Sequence, residues 1–109
     1  MANIIEQQQE LIEGLYHIVT GSCPQHYQSA RCVFKFFRAD DGSVRVGHEF
    51  YYTRENIEYS DFLGRELRRP VMELVTKLHT LMASHTDGDW SKFSLVVNED
   101  SSVTTHFIY

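Results

Sequence analysis

Six histidines, two cysteines and several adjacent acids are the residues of this 109-residue chain whose chemistry could exceed packing. His79 and His85 lie six apart, about 240° around a helix, so they share no face on which to hold one ion. His48 alternates with the apolar residues of its segment, and His106 takes the register opposite Phe107. Either would need a converging carboxylate to act as a general acid or base, and the spacing supplies none. Cys23, His26 and Cys32 offer three zinc ligands without a fourth. Ser22 follows a predicted helix instead of a strand–turn–helix elbow. Thr20-Gly21-Ser22 lacks the glycine spacing and the lysine of a phosphate cradle. Asp40-Asp41 and Glu99-Asp100 fall at predicted hairpin turns, where solvated acids are the ordinary outcome. The residues point to no catalytic set, no cofactor and no metal site. A small enzyme using His48 or His106 is the weakest reading.

A different chemistry runs from Glu49 to Phe62, where four acids and three tyrosines stand against one base. Tyrosine rings supply interface area and a hydroxyl hydrogen bond, and carboxylates beside them steer a basic partner. Tyr51, Glu55, Glu58, Tyr59 and Asp61 are therefore the candidate partner-binding residues. Fifteen acids against ten bases leave a net charge of −5, which argues against nucleic acid as a direct partner and for a basic protein. The one basic cluster, Arg65, Arg68 and Arg69, is balanced by Asp61, Glu66 and Glu73.

These residues need elements to position them. Ile4, Ile5, Leu11, Ile12, Leu15, Ile18 and Val19 lie on one stripe of a helix over residues 4–19, with Gly21 and Pro24 as stops. From Ala30 the period becomes two: Cys32, Phe34 and Phe36 alternate with Arg31, Val33 and Lys35. Asp41-Gly42 then marks a turn, and Val44, Val46, His48, Phe50 and Tyr52 form the returning strand. Residues 53–69 read as irregular, with Ser60 able to cap a short helical turn. Pro70 fits the first turn of a second helix carrying Val71, Leu74, Val75, Leu78, Leu81 and Met82, closed by Thr86–Asp89. Phe93, Leu95 and Val97, a turn over 98–102, and Val103, Thr105, Phe107 and Tyr109 make a second hairpin.

The expected fold is α+β: one domain over residues 1–109, a two-layer sandwich of four antiparallel strands and two helices, in the order helix–hairpin–helix–hairpin. An apolar content of 42% and a charged content of 23% are ordinary for such a domain. No leader is visible and no stretch approaches the roughly 20 apolar residues of a membrane span. The expectation is a cytoplasmic chain with free thiols and no membrane partner, a monomer or weak dimer when alone.

Trp90-x-x-Phe93-x-Leu95, the acidic turn after it and the closing Phe107-x-Tyr109 resemble the YezG-like immunity proteins, antitoxins of bacterial polymorphic-toxin and contact-dependent growth-inhibition systems. Phe34, Phe36 and Phe37 before Asp41-Gly42, with Phe50, Tyr51 and Tyr52 after it, resemble that family's aromatic-rich strands over residues 30–109. The resemblance implies a non-catalytic inhibitor that binds a cognate toxin domain. It also implies that Trp90, Phe93 and Tyr109 are packing residues. Such toxins are often nucleases with basic channels, which acids could enter as phosphate mimics and tyrosines could fill. Binding beside the active site is the competing mechanism, and a self-associating structural domain the competing function.

Overall fold

Asn3 opens the first helix, α1 (Ile4–Ser22), its side chain accepting the Glu6 N–H at 2.8 Å. The helix ends against Cys23, where Pro24 forbids another turn. The computed structural model describes residues 3–85 and 89–109, and of His85 the main chain only. Beyond α1 come β1 (Ser29–Arg38), β2 (Val44–Arg54) and β3 (Ile57–Asp61). A 3-10 turn (Arg65–Leu67) leads into α2 (Arg68–His85), and β4 (Lys92–Val97) and β5 (Val103–Ile108) follow.

The strands form one antiparallel sheet in the order β3-β2-β1-β4-β5. Its register follows from the apolar alternation. Cys32 lies between Phe50 and Leu95, and Phe34 between His48 and Phe93, so the large side chains stack in rows on one face. Leu15 and Val19 of α1 and Val71, Val75, Leu78 and Met82 of α2 cover that face and complete a single core. Gly14 lets the helices approach: a Cβ there would stand 3.2 Å from Leu74 Cδ1. Asp41-Gly42 makes the expected turn, with Gly42 at φ 88° and Asp41 Oδ1 accepting the Ser43 N–H at 2.9 Å.

Among the described residues the sheet has five strands where four are expected. The added strand is β3, inside the segment read as irregular, and Ser60 lies within it instead of capping a helical turn. All five of its residues are exposed, so it shows none of the apolar alternation that reveals a half-buried strand. Its turn is equally hard to read. Glu55 and Asn56 both take positive φ (53° and 62°), a geometry usually signalled by Asn-Gly or Asp-Gly. Tyr109 is a second correction: it is 72% exposed and lies outside the core, whereas Trp90 and Phe93 are fully buried. Val103 is exposed as well, so only Phe107 anchors β5 to the core. The Thr86–Asp89 punctuation lies mostly outside the described residues.

Candidate functional site

The five candidate partner-binding residues sit on the β2–β3 hairpin, and strand alternation distributes them over three aspects of it. Tyr51 and Glu58 point to the face of the sheet that the helices leave open, in register with Arg31 and Thr53. Tyr59 lies opposite Tyr52 and Asp61 opposite Phe50, on the helix side. Glu55 stands at the tip. The hairpin therefore presents a rim, with Ile57, Tyr59 and the 81%-exposed Phe62 as its exposed apolar side chains.

The tip is held from elsewhere in the chain. Gln28, just before β1, accepts the Asn56 N–H on Oε1 at 2.6 Å and donates from Nε2 to Asn56 Oδ1 at 3.1 Å. The same Nε2 lies 3.4 Å from Glu99 Oε1, and the Gln28 N–H donates to the Thr53 carbonyl at 2.7 Å. One glutamine thus ties the β2–β3 turn to the β4–β5 turn. It also holds a glutamate at positive φ, a conformation costing on the order of 1 kcal/mol.

Cations from β1 interrupt the acidic stretch. The Arg31 guanidinium lies 4.4 Å over the Tyr51 ring and 3.7 Å from Glu58, and Lys35 is 3.5 Å from Glu49. On the open face, the carboxylates are already matched by side chains from a distant part of the sequence. Tyr59 stacks on Tyr52 with ring centres 5.3 Å apart, and Asp61 Oδ1 accepts the Phe62 N–H at 2.8 Å. Among the described residues, Glu55 and Asp61 have no cationic partner within salt-bridge distance.

The histidines are structural elements here. His48 Nε2 accepts the Leu63 N–H at 3.2 Å, which fixes a neutral tautomer at the start of the link from β3 to α2. Burial, and then the Arg68 charge, hold its pKa below the ordinary value. It borders a cavity of about 350 Å³ with Val46, Leu63, Leu67, Arg68 and Val71, whose one charged side chain is a cation. His106 is exposed on β5. Among the described residues His79 is the one buried polar side chain, 3% exposed, with its ring stacked 3.7 Å from Phe36 and edge-on to Trp90 at 5.0 Å. Its Nε2 stands 3.1 Å from Asp89 Oδ1, an ion-pair distance whose alignment falls short of a hydrogen bond. Burial lowers its pKa most, Asp89 opposes that shift, and Arg38 adds to it. His79 lies four residues after Val75 and three before Met82, on the apolar stripe of α2, so its burial is legible in the spacing; its ring partners Phe36 and Trp90 are not, because they arrive from other elements.

Both thiols are free, and burial pushes Cys23 up to about 11 and Cys32 well above its ordinary range, so neither is a ready nucleophile. Among the described residues no three His, Cys, Asp or Glu side chains gather as a metal site. No helix among the described residues is long and apolar enough to cross a membrane.

No family model matches the chain. Over 78 residues, 72% of its length, it is 30% identical to a protein of Stenotrophomonas maltophilia described as a "Chorionicgonadotropic hormone-like protein". The chain spans 18% of the length of that curated relative, so the likeness concerns one segment of a much longer protein.

Proposed function

We propose that the chain is a non-catalytic immunity protein that neutralises a cognate toxin domain, a basic nuclease in the reading the charge favours, through the rim of the β2–β3 hairpin. The observation that carries this reading is the concentration of exposed Ile57, Tyr59 and Phe62 beside Glu55 and Asp61 on one projecting edge. Large apolar side chains ringed by unpaired carboxylates suit a partner that is basic and has a cleft. Glu55 and Asp61 supply the steering charge; Tyr59 and Phe62 are the anchors that enter the cleft. Tyr51 acts indirectly, since Arg31 already occupies its ring face.

The test is a toxin domain that arrests growth when produced alone in the native host. Co-production with the chain restores growth, and the triple variant Glu55→Lys, Glu58→Lys, Asp61→Lys does not. Binding of the purified pair weakens as salt rises, through slower association. Inhibition of cleavage on both short and long oligonucleotides supports a covered active site, and inhibition on long ones alone supports binding beside it. Growth arrest that the chain never relieves would sink the proposal.

A further inference from the structure

The sheet ends in two free edges, β3 and β5, and only one is defended against its own kind. Natural edges are blunted by charge, proline, lysine or a bulge. Glu58 and Asp61 lie within β3 and Glu55 at its turn. Val103–Ile108 reads Val-Thr-Thr-His-Phe-Ile, with no lysine, arginine, acid or proline, and Val103 and Ile108 are exposed on it. In a chain of net charge −5, two copies repel wherever carboxylates meet, and β5 is the edge on which none would be buried.

The hydrogen-bonding phase of β5 settles how a second copy would fit. At one end the Asn98 N–H donates to the Ser102 carbonyl at 2.8 Å, and at the other the Ser91 N–H donates to the Ile108 carbonyl at 2.8 Å. Antiparallel bonds recur at every second residue. Thr104, His106 and Ile108 therefore turn their main-chain groups to β4, while Val103, Thr105 and Phe107 turn theirs outward.

We propose that β5 is a self-association edge: two copies pair β5 against β5, antiparallel, about a twofold axis at Thr105. In that register Val103 meets Phe107 of the second copy, Thr105 meets Thr105, and Thr104 meets His106. Aromatic–β-branched and Thr–Thr pairs are among the favourable cross-strand combinations. The twofold keeps both helical layers on one side of a continuous sheet. The same operation on β3 would bring Glu55, Glu58 and Asp61 of each copy together. Pairing β3 with β5 would not close and would run on into fibres. The proposal is independent of the toxin reading, since it uses the opposite edge.

Sedimentation equilibrium of the full chain over a wide concentration range tests it. The expected result is a reversible species of twice the 12.7 kDa chain mass. Thr105→Pro, which removes an outward N–H, and Thr105→Lys, which sets two like charges face to face, raise the dissociation constant at least about 100-fold. Ser60→Pro, the matching change on β3, leaves it unaltered. Circular dichroism checks that each variant is folded. Should both Thr105 variants unfold, Thr105→Cys decides: hydrogen-bonded pairs place Cα atoms about 5.5 Å apart, within disulfide range, so mild oxidation cross-links that variant as a dimer while Ser60→Cys stays monomeric. A monomer at every concentration, a dimer indifferent to the folded Thr105 variants, or a Thr105→Cys chain that does not cross-link would each overturn the proposal.

Discussion

β3 and β5 occupy equivalent places at the two ends of one sheet, yet they are attached by opposite means. β5 is anchored by apolar contact: Phe107 stacks on Phe93 at 4.7 Å and leans on Trp90 at 5.6 Å, inside the largest aromatic group of the core. β3 has no buried residue and is held by pins: the Gln28–Asn56 clamp, the Tyr52–Tyr59 stack and the Arg31–Glu58 pair. A strand can therefore be kept in a sheet without contributing to its core, provided polar contacts fix its turn. Such a strand leaves its side chains free for a partner. The strand that spends its aromatic on the core presents an uncharged edge instead.

The contrast breaks most sharply on the β5 side. Phe93→Ala removes the ring on which Phe107 and Phe34 both stack, and about 4 kcal/mol of stability should go with it in urea unfolding. Phe107→Ala, at a partly buried ring, should cost about 2 kcal/mol and free β5 amides to exchange while β3 amides are unaffected. On the β3 side Gln28→Ala leaves the Asn56 N–H without its acceptor and should cost about 1 kcal/mol. Hydrogen exchange would locate that loss in residues 54–61, with β5 unchanged. Uniform acceleration along the chain would mean that the two edges are not independently held.

Acid should loosen both sides, because each has its own shielded histidine, half-buried at His48 and buried at His79. His48 supports Leu63 after β3, and His79 packs on Trp90 before β4. Both have lowered pKa values in the folded state. Above about pH 6.5 neither state carries the proton; below it the unfolded chain accepts protons that the native sites resist. Stability is thus complete above the ordinary histidine value and declines as pH falls beneath it. Urea midpoints at about pH 7.5 and about pH 5.5 would show the decline, and His79→Gln should shrink it. The smallest effect belongs to the tip. Glu55→Gly relieves a side chain at positive φ and should stabilise the hairpin by about 0.5 kcal/mol.

Much of this architecture is legible in residue spacing. The stripe ending at Val19, the Phe34–Phe36 alternation, Pro70 at the start of α2 and the Phe93-x-Leu95 rhythm each record burial on one side of an element. β3 escapes because nothing buries it, and a period can be read only where burial imposes one. Its turn escapes because Glu-Asn is made tolerable by Gln28, far away in sequence. Tyr109 misleads for the converse reason: it keeps the strand's apolar phase at a point where the sheet has run past the core.

By itself, the sequence determined the two amphipathic helices, the paired core strands and the net acidity, since local periodicity and charge do not depend on what packs where. Tertiary structure decided the rest. It placed Arg31 over Tyr51, seated Gln28 between two turns and buried His79 against Trp90. It also split one run of acids and tyrosines between two faces and a tip. These are contacts across strands and layers, and their partners are chosen by register and by the closing of the core, which no single segment specifies.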